Sequence, residues 1–335
     1  MGAFILRRFM WMLLVLLVTS AVTFLLMRMV PGGPFNTERG IPDAVKRNLE
    51  AKYNLDAPLL QQYVDYLNDV AVPKITDPEF KRTALEDYFI NVELPGGYAL
   101  RWMNFGPSLT KRSRTVTSIF QDNLPASFQL GMAALLVGLT IGVPLGTLAA
   151  LRANTGIDYM SMGVAILGVS VPAIILGPIL QYFFAVQLGW FPVAGWGTFS
   201  HLILPAFALG FAESALIARL TRASLLQVLR EDYIRTARAK GLPERRTISV
   251  HALKNALIPV ATIIGPLAAA LLTGTFVVEN IFGIPGMGKF FVTSITNRDY
   301  TVIMGTVLLY ATFLVIANLL VDISYAILDP RIRYN

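Results

Sequence analysis

The feature that most restricts this chain is a series of long apolar runs with almost no charge inside them. A helix needs about 20 mostly apolar residues to cross a hydrocarbon core about 30 Å thick. Phe9–Val30, Leu124–Leu151, Ile157–Leu188, Ser200–Leu220, Ala256–Phe276 and Val302–Leu328 all meet that length. Backbone in lipid must satisfy its own polar groups, so the runs predict helices and the six together predict an all-α polytopic membrane protein. The third run is too long for one straight span, reaching roughly 48 Å at 1.5 Å per residue. Pro172 and the pair Gly177-Pro178 therefore predict a kink, or ends that project from the membrane. Arg7-Arg8 precede the first run as they would in a signal peptide. That run is too long for one and no A-x-A site follows, so it reads as an uncleaved anchor.

Charge then orients the spans. Only 15% of the 335 residues are charged, against about 25% in soluble domains. Six spans place both termini on one side, and fourteen basic residues fall there: Arg7, Arg8, Arg152, nine between Arg219 and Lys254, Arg331 and Arg333. The opposite side holds the uncharged loop Gly189–Phe199, the sparsely charged Glu279–Tyr300, and the long connection Pro31–Asn123. That connection is balanced, with eleven Lys/Arg and twelve Asp/Glu. Basic short loops stay in the cytoplasm, so both termini are expected there. The net charge of +7 is then topogenic and requires no nucleic acid. With no cysteine and two histidines, His201 and His251, the chain cannot build a disulfide framework, a thiol nucleophile, a Cys/His zinc site or an HExxH metalloprotease. The two histidines lie toward opposite faces, and no Ser/His/Asp or paired-carboxylate arrangement emerges, so no catalytic residue is expected.

Four segments follow: residues 1–30 with the first span, an extracytoplasmic insertion over 31–123, a five-helix core over 124–328, and a tail over 329–335. The insertion reads as helical and amphipathic. Pro42 suits a helix start, and Pro58 opens a second stretch in which Leu59, Leu60, Tyr63, Val64 and Leu67 share a face. Pro73–Arg101, with Pro78, Pro95 and Gly96-Gly97, reads as irregular.

The most informative stretch joins the fourth and fifth spans, within 224–254. Asp232–Lys240 is expected to be a short helix ended by Gly241 in the left-handed position. Pro243 suits the next helix start, with Glu244 against its N-terminal dipole. Ala237 and Gly241, four apart, leave one side flat, and Tyr233 and Ile234 add apolar contacts. Such an elbow suits a groove on a partner protein, and equally an anionic lipid surface. A DNA-reading helix pair is disfavoured by the tether to spans at both ends.

This segment resembles the cytoplasmic signature loop of ATP-binding-cassette importer permeases, E-A-A-x3-G-x9-I-x-L-P. Ala237, Gly241 and Leu253 agree, while Arg235, Thr236, His251 and Lys254 stand where Glu, Ala, Ile and Pro are usual. The form R-T-A-R-A-K-G-L (Arg235–Leu242) followed by H-A-L-K-N-A is similar to that of the oligopeptide, dipeptide and nickel branch. M-V-P-G-G-P (Met29–Pro34), V-E-N-I-F-G-I-P-G-M-G (Val278–Gly288), N-R-D-Y (Asn297–Tyr300) and L-D-P-R-I-R-Y (Leu328–Tyr334) agree with its B-type, first-subunit form. The resemblance implies a non-enzymatic subunit of a peptide importer. Its implied partners are a second, C-type permease, two ATP-binding subunits that carry ATP and Mg, and an extracytoplasmic peptide-binding protein. Asp232, Tyr233, Arg235, Ala237, Lys240, Gly241 and Leu242 would couple to the ATPases. Nickel complexes and glutathione remain alternative substrates.

Other signals weigh less. Gly283-x4-Gly288-Lys289 nearly spells a phosphate loop, but Phe290 replaces the magnesium-holding hydroxyl and the expected side is external, so a Gly/Pro-rich turn is the better reading. Glu213 falls near the middle of the fourth span, where a charge costs roughly 2.5–3.5 kcal/mol. It should face an interhelical hydrogen bond, the translocation pathway, or, in a rival ion-coupled secondary transporter, a proton or ion. Asn318 and Asp322 share a helix face and read as helix or subunit packing. Arg28 can snorkel, and Trp190 and Trp196 look like interfacial anchors.

Overall fold

The computed structural model describes residues 2–35, 42–83, 85–111, 113–272 and 275–328. Four helices among them are long and apolar enough to cross a membrane alone. They are α1 (Gly2–Met29), α4 (Val116–Leu151), α7 (Phe199–Val228) and α14 (Tyr300–Leu328). Two bent pairs qualify when each is taken as one span. The first joins α5 (Gly156–Ser170) to α6 (Ala173–Leu180) and a wide π-type turn, Gln181–Gln187, with a 100° bend. The second, Glu244–Ala256 with α11 (Ile258–Leu272), bends by 50°. The first bend falls at Val171-Pro172. Pro172 disfavours the helical conformation in the residue before it, and Val171 is extended at φ −101°, ψ 108°.

The chain divides into two compact units. One is built on Ala126–Gly288 and takes in described residues of 1–8 and 313–335; the other comprises 9–125 with 289–312. In the first unit, small residues spaced four apart bring helix backbones together. Gly138, Gly142 and Gly146 of α4 face Gly210, Ser214 and Ala218 of α7. A Cβ placed on Gly142 would lie 2.7 Å from the Ser214 carbonyl oxygen. In lipid there is no hydrophobic gain from helix association, so close packing of this kind carries it. Leu130, Leu180, Ala208, Val278 and Phe282 fill the adjoining core.

In the second unit, α2 (Asp43–Lys52) follows Pro42 and α3 (Leu59–Ala71) follows Pro58. The reading of 73–101 as irregular is corrected here. Those residues form a three-stranded antiparallel sheet in the order β1 (Lys74–Thr76), β3 (Ala99–Asn104), β2 (Tyr88–Glu93). Pro95, Gly96 and Gly97 belong to the hairpin loop between β2 and β3, and Pro78, in the connection before β2, packs against Gly97. Gly96 and Gly97 take φ of +87° and +81° to turn the chain, and the Leu94 N–H donates to the Tyr98 carbonyl at 2.8 Å. Both strands are short; Tyr88–Glu93 is covered only at Tyr88 and Ile90, and Ala99–Asn104 is half-buried on both faces between its buried ends, so the apolar alternation is weak. Phe24, Met27, Phe35, Leu109, Tyr300, Ile303 and Met304 form this unit's apolar core. Asp299 of N-R-D-Y is its buried polar hub. It accepts from the Leu109 N–H at 3.0 Å, the Thr110 hydroxyl at 2.7 Å and the Ser108 hydroxyl, and caps the start of α14.

Candidate functional site

The elbow after α7 begins with α8 (Asp232–Ala239). Its first turn carries Asp232 and its last Arg238, each at the end where the helix dipole favours its charge. Lys240 is the cap, one residue past the helix, and Gly241 follows at φ +77°. The Leu242 N–H reaches the Ala237 carbonyl at 3.3 Å and the Gly241 N–H the Arg238 carbonyl at 2.9 Å. This is the paired bonding that ends a helix through a left-handed residue. Pro243 then precedes α9 (Glu244–Arg246), and a π-type turn over Thr247–Ala252 leads to α10 (Leu253–Ala256).

Two polar links and one apolar seat hold the elbow. Arg238 donates to both Glu244 oxygens, from Nη2 at 2.6 Å and Nε at 3.1 Å, closing the turn. The Asn255 amide donates to the Tyr233 hydroxyl at 2.8 Å, tying α10 to α8. Ile234 is fully buried in a cluster with Ala150, Leu225, Ala252 and Ala256. These residues lie at the ends of α4 and α7 and on the path into α11, so α8 is seated on three other elements through close-packed side chains.

The residues expected to couple therefore divide. Asp232, Tyr233, Arg235, Lys240 and Gly241 are exposed, Leu242 is half-buried, and Ala237 is buried beside Ile234 against the protein's own core. The helix rests on its Ile234–Ala237 side and presents the other. Glu213 is half-buried in α7 beside Gly138 of α4, and makes no hydrogen bond or ion pair among the described residues. Asn318 is exposed on α14; the side chain of Asp322 and the motif residues 329–334 lie outside the described residues.

Two buried carboxylates escaped the sequence reading. Asp158, at the start of α5 and 2% exposed, takes Arg222 of α7 in a fork, from Nε at 2.7 Å and Nη2 at 2.6 Å. It also accepts the Asn154 N–H at 2.9 Å. Glu279 lies in α12 (Phe276–Ile281) and is equally buried. It accepts from the Ser127 hydroxyl at 2.6 Å and the Gly288 N–H at 2.9 Å, while the Met287 N–H donates to the Ser127 oxygen at 2.8 Å. Burial pushes the Glu279 carboxyl above the usual glutamate range, against the Ser127 and Gly288 donors that favour its charged form. The glycine-rich run that imitates a phosphate loop is thus closed around a carboxyl group of its own. A Cβ on Gly288 would meet Glu279 Oε2 at 2.8 Å. Asp and Arg residues 64 apart, or a Glu and the glycines nine residues on, carry no local spacing signal by which sequence could pair them. Among the described residues no three His, Cys, Asp or Glu side chains gather as metal ligands would.

Comparison with known proteins agrees with this architecture. Residues 142–334 match the family described as binding-protein-dependent transport system inner membrane component, and residues 1–82 match its N-terminal companion. The chain is 45% identical over 333 residues to the dipeptide transport system permease protein DppB of Bacillus subtilis (strain 168), covering 99% of this chain and 98% of that one. It is 40% identical to the oligopeptide transport system permease protein OppB of Salmonella typhimurium (strain LT2), covering 99% of each. Among solved structures, an inward-facing form of the MetNI methionine ABC transporter aligns at TM-score 0.50 and 16% identity, covering 63% of this chain and 97% of that one. That likeness bears on fold alone. With the family matched over more than half the chain and the relatives over nearly all of it, this protein belongs to the inner membrane components of binding-protein-dependent transport systems, in their oligopeptide and dipeptide permease branch.

Proposed function

We propose that the chain is a B-type membrane subunit of an ATP-driven importer of short peptides. The observation that carries this reading is 45% identity along nearly the whole chain to a dipeptide permease. The chain would form the translocation pathway with a second, C-type permease, receive substrate from an extracytoplasmic binding protein, and draw on ATP and Mg held by two partner subunits. It would lie in a bacterial inner membrane as six spans with both termini cytoplasmic, the insertion 31–123 outside, the core over 124–328, and the elbow within 224–254 facing the ATPases. Asp232, Tyr233, Arg235, Lys240, Gly241 and Leu242 would make the contact, with Ala237 transmitting it inward through the Ile234 seat. Closure of the ATPases on ATP would push the elbow and reorient the spans, and hydrolysis would reset them. Glu213, with no partner among the described residues, would face the pathway or the second permease, where an aqueous or paired surrounding relieves its charge. Asn318 and Asp322 would pack against a neighbouring helix or subunit.

The test is uptake of labelled tripeptide by proteoliposomes holding both permeases, both ATPases and the binding protein. Uptake should require internal-facing ATP and survive collapse of the ion gradient. Uptake by this chain alone, driven by a proton gradient without nucleotide, would overturn the assignment and favour a secondary transporter.

A further inference from the structure

The second unit encloses a cavity of about 180 Å³ at the C-terminal end of α1. Two of its lining groups are buried donors without acceptors among the described residues: Arg28 Nε and the Tyr66 hydroxyl. Arg28 forms no ion pair among the described residues; its guanidinium stacks 4.7 Å from the Tyr300 ring centre and 5.1 Å from that of Phe24. Its orientation is prepared. Gln62 donates to the Leu55 and Ala57 carbonyls at 3.0 and 2.6 Å, which turns its own oxygen to accept from Arg28 Nη2. Burial raises the Tyr66 phenol well above its ordinary value, so it stays a neutral donor. Buried donors left unpaired are costly and point to a missing acceptor.

The acceptor can be specified by place, charge and size. Arg28 sits in the last turn of a helix long and apolar enough to cross a membrane, the position at which a basic side chain reaches lipid headgroups. Val22, Leu25, Leu26 and Met29 of the same helix end are exposed, offering a track for acyl chains. Asp65 also lines the cavity and has no ion pair among the described residues, whereas its neighbour Asp69 is held by Lys74 at 2.6 Å. The volume is below the roughly 300–1,000 Å³ of pockets that enclose a whole drug-sized ligand. It fits a headgroup whose bulk stays outside.

We propose that this cavity binds the headgroup of a zwitterionic phospholipid of the adjoining leaflet. Its phosphate oxygens accept from Arg28 Nε and the Tyr66 hydroxyl, and its ammonium group meets Asp65. Arg28 is then a lipid-binding residue and not merely a snorkelling one.

Native mass spectrometry of the full purified chain, back-titrated with phosphatidylethanolamine or phosphatidylglycerol, tests this. One phosphatidylethanolamine should be retained per chain, with affinity lowered at least tenfold by Arg28→Gln. Tyr66→Phe, which keeps the ring and removes no hydrogen bond within the chain, should leave the melting temperature without lipid unchanged and reduce the rise that phosphatidylethanolamine produces. Asp65→Asn should abolish the preference for phosphatidylethanolamine over phosphatidylglycerol. Equal retention by the native chain and Arg28→Gln would overturn the proposal. So would displacement of the lipid by millimolar trialanine, which would make the cavity a peptide site.

Discussion

Substitution of Gly241 separates the shape of the elbow from the surface it offers. At φ +77° any L side chain is strained, by about 1–2 kcal/mol. A Cβ at this position meets no atom within 4 Å, so there is no steric cost inside the chain. Gly241→Ala and Gly241→Arg therefore share one backbone penalty, and their melting temperatures should correspond to stabilities within about 0.5 kcal/mol of each other, as for exposed sites generally. Their transport should differ. If an ATPase docks on this face, a methyl group is tolerated, while a long charged side chain overfills the interface by about 2 kcal/mol. That is roughly thirtyfold in subunit affinity. Gly241→Asn, which adopts the left-handed conformation more easily, should recover part of the stability and keep transport. The assay is ATP-dependent tripeptide uptake together with stimulated ATPase activity in proteoliposomes of the assembled complex. If Gly241→Arg supports uptake as well as Gly241→Ala at equal complex concentration, the exposed side of α8 is not the docking face and the reasoning fails.

Three further outcomes follow from the packing. Asp158→Asn should destabilise the detergent-purified chain by about 2–3 kcal/mol, somewhat under the 3–5 kcal/mol of a fully buried broken pair because Arg222 is 29% exposed; an unchanged melting temperature would refute a structural role for the fork. Gly142→Ala should lower stability by about 1 kcal/mol, since overpacking outweighs the usual helix gain, while the same change at Gly163, which has open space around it, should not; a stabilised Gly142→Ala would refute the close α4–α7 contact. Glu279 has a folded-state pKa raised by burial, so its contribution is fully present below the unfolded value of about 4.3 and is lost as pH rises through the raised one. Thermal unfolding should show native stability falling across that window and a flatter profile for Glu279→Gln; parallel profiles would contradict it.

The membrane character, the approximate spans and the outline of the elbow are legible in the order of residues alone. Each depends on neighbours in the chain: runs of apolar residues, Pro172 at a bend, Gly241 and Pro243 about a turn. The family was also legible, because its motifs are local. Tertiary structure alone decided the rest. Pro73–Arg101 is a sheet because glycines turn its hairpin and a third strand pairs across 27 residues, Lys74 to Arg101, while partial burial blurs the alternation. Ala237 faces inward because Ile234, three residues before it, seats against Ala150 and Leu225 from distant helices. The imitation phosphate loop is filled because Glu279 and Ser127, 152 residues apart, converge on it. Local spacing encodes secondary structure and its ends; partners for buried charge are chosen by packing, which joins residues that no sequence interval connects.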